Sequence, residues 1–256
     1  MELVKVRDRF DFVAQTLAYI FIGYMLISLF YLYVAVGENW TLVWKALFDS
    51  RVIGALAISV SSAFIVGGLA IAAGIPVAYL LAHKDFRGKS TLETLLIDMP
   101  QTFPPVTEGL VYLLMLGSYG LAYTYAAVII AKFYVSAPFT VSFMTRRFRE
   151  IRGAGFDIIA KSLGAKTRHV LSWVLLPLSA RDLLAGFSLT WARAMGELAA
   201  TLVFAGAVPW KTEIIPTLVY LTSREAPQIA IAASVIAETL SLIALLSFRR
   251  IARERE

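Results

Sequence analysis

Five charged residues interrupt long apolar stretches of the chain: Glu108, Lys132, Arg193, Glu197 and Glu238. On insertion scales a charge near the middle of a bilayer costs about 3 kcal/mol, so each one needs a partner or a role. Arg193 and Glu197 have the i, i+4 spacing that brings two side chains together on one helix face. Two interpretations follow. Either Arg193 lines a path for anions and Glu197 holds it in place, or the two charges neutralise each other and stabilise their helix within a bundle.

The other three charges also allow two interpretations each. Glu108 follows Pro104 and Pro105, so it lies either near such a path, at the end of a broken helix, or at a helix N-terminus that favours negative charge. Lys132 either faces an anion or pairs with Glu238 of another helix. We interpret Glu238 as a packing partner rather than a proton relay, because no series of acids accompanies it.

Residue types needed for other chemistry are missing from the sequence or isolated in it. The chain has no cysteine, which excludes disulfides, thiolate metal sites and cysteine nucleophiles. Its two histidines, His83 and His169, have no partner at metal-ligand spacing, and we expect both to face solvent or lipid headgroups. No Gly-x-x-x-x-Gly-Lys-Ser/Thr nucleotide loop occurs. We therefore predict no catalytic residue, no metal site and no cofactor in this chain.

The composition places these charges in a membrane. Of the 256 residues, 59% are hydrophobic and 16% are charged, against roughly 25% charged in soluble domains. Mean hydropathy is +0.72. A helix needs about 20 apolar residues to cross the hydrocarbon core. The sequence therefore predicts one all-α integral membrane domain, residues 1–256, with about six transmembrane helices.

The predicted spans are residues 12–36, 53–82, 109–117, 121–144, 183–205 and 228–248. The first is too long for the core of a signal peptide, and we interpret it as a retained helix. The third is short and follows three prolines. To cross the membrane, this span must include residues before the prolines, or it is a broken helix buried in protein.

The distribution of basic residues orients these helices. With the N-terminus inside, cytoplasmic segments hold 18 of the 24 Lys and Arg residues, including Lys5, Arg7 and Arg255, and outer segments hold 4. Short cytoplasmic loops are enriched in these residues. This predicts a multi-pass protein with both termini in the cytoplasm. The same pattern accounts for the net charge of +6 without binding to nucleic acid.

One predicted cytoplasmic loop, residues 145–181, is longer than the others. Ile159, Leu163, Val170 and Val174 recur in it at helical spacing and predict one apolar stripe. Such an amphipathic element either lies on lipid headgroups or docks into a groove of a partner protein.

This loop resembles the cytoplasmic signature of ABC-importer permeases, which reads Glu-Ala-Ala, three residues, Gly, nine residues and Ile-x-Leu-Pro. Gly164 takes the place of the glycine, Ala160 that of the second alanine, and Val174 to Pro177 that of the closing residues. Ile158 and Ile159 depart from the pattern where Glu and the first Ala are usual, and Asp157 lies one residue upstream.

Other segments are similar to molybdate, tungstate and sulfate permeases of the same family. They are the fifth-span region 191–206, the run 76–82 with the loop 84–89 that follows it, and the prolines at 100, 104 and 105. The resemblance covers the chain from about residue 53 to its end.

The resemblance implies a homodimer of this subunit in a prokaryotic cell membrane. Each dimer would bind two copies of a separate ATPase, which holds ATP and Mg, and would receive substrate from an extracytoplasmic binding protein. The loop around Gly164 would be a coupling helix between the fourth and fifth spans, seated in a groove of the ATPase with Leu163 as its buried anchor. The residues expected in that contact are Asp157, Ala160, Lys161, Ser162, Leu163, Gly164, Ala165 and Pro177. The candidates for the translocation path are Arg193, Glu197 and Glu108.

The function expected from the resemblance is import of a small oxyanion, molybdate or tungstate, with sulfate or thiosulfate as the alternative. A different class of function is an autonomous ion-coupled carrier or intramembrane enzyme that uses the charges within the spans. That class predicts activity from the purified chain without a nucleotide-binding partner.

Overall fold

The computed structural model describes residues 9–37 and 39–253, and the regular structure in these ranges is helical. The longer helices are α1 (Arg9–Val36), α2 (Trp40–Leu47), α3 (Ser50–His83), α6 (Pro105–Leu116), α7 (Tyr125–Gly153), α11 (Ala180–Met195), α13 (Ile215–Glu225) and α14 (Pro227–Arg253). The shorter ones are α4 (Lys89–Glu93), α5 (Met99–Thr102), α8 (Phe156–Ser162), α9 (Thr167–Val170), α10 (Leu176–Leu178) and α12 (Ala199–Phe204). Lys5, Arg7 and Arg255, which contribute to the predicted orientation in the membrane, lie outside the described residues.

Within the described ranges, four helices are long and apolar enough to cross a membrane: α1, α3, α7 and α14. A fifth crossing results if residues 167–178 and α11, which meet at 74°, are counted as one bent span. The predicted spans 12–36, 53–82 and 228–248 each lie within one helix. The chain is thus an all-helical membrane protein, and the count of six spans stays a prediction.

The other predicted spans differ from the observed helices, and local residues explain why. The span at 109–117 belongs to α6, which has 12 residues and begins at Pro105. The span at 183–205 divides into α11 and α12 at Gly196. The span predicted at 121–144 corresponds to α7, which begins only at Tyr125. Thr124 caps this helix by accepting the Ala127 N–H at 3.2 Å.

Two π-helical stretches lie just before prolines. Residues 94–98 precede Pro100, and residues 171–175 precede Pro177. A proline inside a helix has no N–H to donate and its ring crowds the carbonyl four residues earlier, here that of Leu96 or Trp173. The wider π turn accommodates this conflict, so the helical path continues through each proline instead of ending there.

Small side chains allow α3, α7 and α11 to pack closely at the centre of the bundle. Ala63, Ala131 and Ala194, one from each helix, are fully buried. A Cβ on Gly186 of α11 would lie 3.2 Å from the Thr140 Cα of α7. Interfaces of this type are typical of helices that pack in lipid. Helix α1, by contrast, is largely exposed and contacts α14 near its end.

The contact between α6 and α12 depends on Gly109. A Cβ at this position would lie 2.7 Å from the Ala200 carbonyl oxygen and 2.9 Å from the Val203 Cβ. Because one neighbour is backbone, the two helices must separate to admit a methyl group. This contact fixes the position of α12, whose first turn carries the Glu197 contact described below.

We expect Gly109→Ala to destabilise the protein by about 1–3 kcal/mol, since overpacking outweighs the helix propensity that alanine gains. Gly68→Ala on α3 is the matched control, because nothing lies within 4 Å of a Cβ there. The measurement is thermal unfolding in detergent. Equal or higher stability of Gly109→Ala than of Gly68→Ala would contradict the proposed role of this contact.

Candidate functional site

The short helix α8 is delimited by two glycines with left-handed backbone. Gly155 precedes it with φ +80° and Gly164 follows it with φ +86°. At its end the Gly164 N–H donates to the Lys161 carbonyl at 2.9 Å, and the Ala165 N–H donates to the Ala160 carbonyl at 3.0 Å. These two bonds form a Schellman motif, which requires a residue that tolerates positive φ at the position of Gly164. The glycine of the sequence signature is therefore the residue that ends this helix.

The outer surface of α8 is apolar and exposed. Phe156, Ile158, Ile159 and Leu163 are all exposed, and Leu163 most of all, at 84%. The two isoleucines stand where the sequence departs from the family signature, so the departure makes this surface more apolar. We call these four residues the α8 patch. An exposed apolar patch of this kind marks a surface that contacts lipid or a protein partner.

The predicted apolar stripe through the loop is wrong. Ile159 and Leu163 are exposed, whereas Val170 is fully buried between the ends of α3 and α7. The left-handed turn at Gly164 changes the direction of the chain, so residues before and after it do not share one helix face.

The predicted coupling residues divide between two sides of α8. Lys161, Ser162, Leu163 and Gly164 are exposed, and Pro177 is exposed in α10. Ala160 and Ala165 are half-buried and pack on a cluster that includes Met144, Phe148 and Leu175. Both were expected in the contact with the partner, but their small size lets α8 approach its own bundle.

Asp157 lies on the inner side of α8 and not on its exposed surface. Its side chain is 4% exposed, with Oδ2 3.7 Å from His83 Nε2 and 3.6 Å from Lys161 Nζ. His83 is also buried, stacked on Tyr79 with ring centroids 4.6 Å apart. The expectation that His83 faces solvent or headgroups is thus wrong, because α8 covers the end of α3. His169 is half-buried and stacks on Trp173 at 4.7 Å.

Three arginines near the end of α7 bind the surrounding elements; we call them the α7 arginines. Arg147 donates to the Leu178 carbonyl at 3.0 and 3.2 Å, and Arg149 forms a two-bond pair with Glu93 of α4 at 2.6 and 2.9 Å. Arg152 donates at 2.8 Å to the carbonyl of Ala82, in the last turn of α3. They fix α3, α4 and α10 around α7, and so build the base on which α8 rests.

Arg193 and Glu197 form the ion pair that the sequence allowed. Arg193 Nη1 lies 2.8 Å from Glu197 Oε2, and Glu197 Oε1 accepts the Ala200 N–H at 2.9 Å. Glu197 is buried and Arg193 is one-third exposed. The carboxylate therefore neutralises an arginine and caps α12 where the fifth predicted span breaks. This geometry fits the structural interpretation of the pair.

Lys132 and Glu238 do not pair with each other in the described part of the chain. Lys132 is fully buried and donates to Ser62 Oγ at 2.8 Å and to the Ser59 carbonyl at 3.4 Å, both on α3. Lys132 therefore joins α7 to α3. Glu238 is half-buried on α14.

Glu108 lies in the first turn of α6 and is 6% exposed. A negative charge at a helix N-terminus is favoured by the helix dipole, in agreement with one of its two interpretations. The nearby Tyr112 makes an edge contact with Tyr134 at 6.2 Å. Together with Gly74, Val77 and other residues these tyrosines line a cavity of about 260 Å³.

One ion pair with a buried carboxylate was missed in the sequence. Arg51, in the first turn of α3, donates to both carboxylate oxygens of the buried Glu213 at 2.7 and 2.9 Å. Both residues lie between predicted spans, and nothing local in the sequence signals a contact between segments so far apart. No group of three potential metal ligands occurs among the described residues.

Comparison with known proteins adds an independent line of evidence. Residues 70–255 match the model of the family described as binding-protein-dependent transport system inner membrane component. The molybdenum transport system permease protein ModB of Mycobacterium bovis is 30% identical over 83% of this chain and 84% of its own length.

Two further relatives carry different substrate names. The molybdate/tungstate transport system permease protein WtpB of Thermococcus kodakarensis is 29% identical over 78% of this chain and 79% of its own. The sulfate transport system permease protein CysT of Escherichia coli is 27% identical over 80% of this chain and 79% of its own.

A solved structure supports the fold. A chain of a bacterial alginate ABC transporter, crystallised in complex with an alginate pentasaccharide-bound periplasmic protein, matches with a TM-score of 0.73. The match covers 99% of this chain and 98% of that chain at 14% identity.

Proposed function

Because the chain belongs to the family of binding-protein-dependent transport system inner membrane components, as an ABC-importer permease, we propose that it translocates molybdate or tungstate. An extracytoplasmic binding protein delivers the anion, and a separate ATPase, which holds ATP and Mg, supplies the energy. The working unit is a homodimer of this chain with two ATPase copies in a prokaryotic cell membrane. Both termini lie in the cytoplasm, and this chain itself hydrolyses nothing.

The observation that carries the proposal is the α8 patch. A seven-residue helix that presents Leu163 at 84% exposure, between two left-handed glycines, has the form of an anchor for a groove in a soluble partner. Lys161 and Ser162 surround this anchor with polar groups, as at the rim of a protein interface. Movement of the partner on ATP binding then displaces α8 relative to the bundle.

The choice of molybdate or tungstate rests on the names of two relatives, and the sulfate relative supports sulfate or thiosulfate as the alternative. Within the chain, the Arg193–Glu197 pair is already neutral as a unit. It therefore attracts an oxyanion weakly, which suits a path that must release its substrate.

The test is the ATPase activity of the assembled complex with its binding protein, measured with molybdate, tungstate and sulfate in turn. We expect molybdate or tungstate to stimulate hydrolysis at lower concentration than sulfate does. Stimulation by sulfate alone would overturn the substrate assignment. ATP-independent uptake by the purified chain would overturn the importer assignment.

We expect Gly164→Val to lower ATP-driven uptake about tenfold, whereas Gly164→Asn keeps most of it. A β-branched residue at φ +86° costs about 1–2 kcal/mol, but asparagine tolerates this conformation. Nothing lies within 4 Å of a Cβ here, so the difference between the two variants reports the backbone requirement and not a clash. Uptake into proteoliposomes is the readout, and equal uptake by both variants would contradict the role of this turn.

A further inference from the structure

His83 and Asp157 form a buried contact between α8 and the end of a membrane-spanning helix. His83 is the last residue of α3 and Asp157 lies in the first turn of α8. Their side chains are 3% and 4% exposed, and His83 Nε2 lies 3.7 Å from Asp157 Oδ2. Tyr79 stacks on the imidazole and Phe148 of α7 contacts its edge. The imidazole is thus held in place by two helices and turned toward the third.

The backbone at both ends of α8 is glycine in an open environment. A Cβ on Gly155 or on Gly164 would meet no atom within 4 Å, and both residues have positive φ. Gly153, at the end of α7, is equally open. Glycines tolerate changes of backbone dihedral angle at small cost, so these joints allow α8 to shift as a unit. The contacts on the inner side of α8, which include that of Asp157 with His83, then transmit such a shift to the bundle.

Helix α3 continues from this contact to the opposite end of the bundle. Its 34 residues span about 50 Å at ~1.5 Å per residue. At the far end Arg51, whose side chain is partly exposed, forms the two-bond pair with the buried Glu213. The helix therefore carries an ion pair in its first turn and the His83–Asp157 contact at its last residue.

The contact at the α8 end is longer than a hydrogen bond. His83 Nε2 and Asp157 Oδ1 are buried, and neither has a hydrogen-bond partner among the described residues. Leaving such groups unsatisfied is unfavourable, and an inward shift of α8 by about 1 Å would bring the two residues to hydrogen-bond distance. Two charged groups lie close by. Lys161 approaches Asp157 from the exposed side, and Arg152 is bound to the Ala82 carbonyl.

We propose that His83 and Asp157 are positioning residues that transmit movement of α8 to α3, and through it to the far end of the bundle. The inference rests on the proposed function, in which an ATPase moves α8. In one position of α8 the two side chains are separated, as here. In the other they hydrogen-bond, and α3 follows α8.

The absence of cysteine from the sequence allows a direct test at the far end of α3. Ile53→Cys places a single thiol at a half-exposed position near Arg51. Its rate of labelling by a maleimide is measured in the purified complex with the ATPase, with and without ATP and vanadate. We expect nucleotide to change this rate by about fivefold, the lower end of typical coupling between two sites.

Two substitutions of the histidine separate the polar contact from the stacking. His83→Phe keeps the ring on Tyr79 and removes the polar atoms, and we expect it to abolish the nucleotide-dependent change. His83→Gln keeps a hydrogen-bond donor and should retain most of the change. Asp157→Ala should also abolish the nucleotide-dependent change in labelling rate. The double variant His83→Phe/Asp157→Ala should lose no more of this change than either single variant. Lys89→Ala is the control, since it removes a neighbouring exposed pair with Asp85.

The outcomes separate failure of this proposal from failure of the proposed function. Persistence of the full labelling change in His83→Phe and Asp157→Ala, with the ATPase bound, overturns the proposal alone. So does loss of the ATPase from these variants, because the contact lies beneath the α8 patch and not in it. If the wild-type chain neither binds an ATPase nor responds to nucleotide, the proposed function falls and this inference with it.

Discussion

Replacing Leu163 with aspartate is expected to abolish binding of the ATPase while leaving the fold of the permease intact. The side chain is 84% exposed, so the substitution breaks no contact inside the chain. In the complex it removes a leucine whose burial contributes about 1.5–3 kcal/mol and places an unpaired charge in an apolar groove. A combined loss of ~4 kcal/mol corresponds to roughly a thousandfold weaker association.

The measurement is copurification and titration of the ATPase with the permease in detergent. Leu163→Met should bind within a few-fold of the wild-type chain, because it keeps the volume and the apolar character. Tyr119→Asp is a control at the opposite end of the bundle, where Tyr119 is 79% exposed. Normal binding by Leu163→Asp would show that the α8 patch faces lipid, and the importer mechanism described here would not stand.

Glu197→Ala is expected to cost about 3–5 kcal/mol of stability. It leaves Arg193, which is one-third exposed, without its partner, and removing one partner of a largely buried ion pair is the costly way to break it. It also removes the acceptor for the Ala200 N–H at the start of α12. Thermal or denaturant unfolding in detergent measures the loss.

Two further variants divide this cost into its parts. Glu197→Gln keeps an oxygen for the Ala200 N–H but leaves Arg193 unpaired, so we expect an intermediate loss. Adding Arg193→Gln to Glu197→Gln removes both charges and should recover most of the stability. If Glu197→Ala unfolds at the wild-type temperature, the pair is not structural, and the anion-path interpretation becomes the better one.

The membrane character and most of the helices could be predicted because apolar length is a local property. Spans 12–36, 53–82 and 228–248 contain no proline except Pro76, which α3 passes through, and the charge of Glu238 does not interrupt α14. The predictions at 109–117 and 183–205 differed from the structure because Pro105 and Gly196 set helix ends that hydropathy does not record. Where apolar length and local breakers disagreed, the breakers determined the helix ends.

The candidate site could be predicted in position but not in orientation. A short helix, α8, lies at the signature between α7 and α11, and Gly164 and Leu163 are exposed, while its role as a coupling helix stays a prediction. Asp157 and Ala160, however, face inward, because α8 rests on the end of α3. The partner of Asp157, His83, belongs to a different helix, and no spacing rule connects residues that only tertiary packing brings together.

The α7 arginines have a consequence for experiments on topology. Charge-reversal scans assume that a basic residue near a helix end serves only to decide which way the helix inserts. Here Arg147, Arg149 and Arg152 also hold neighbouring helices together through hydrogen bonds. A reporter fusion that changes sides after Arg149 is mutated would therefore record loss of a helix contact as well as inversion, and substitution of its partner Glu93 would tell the two apart.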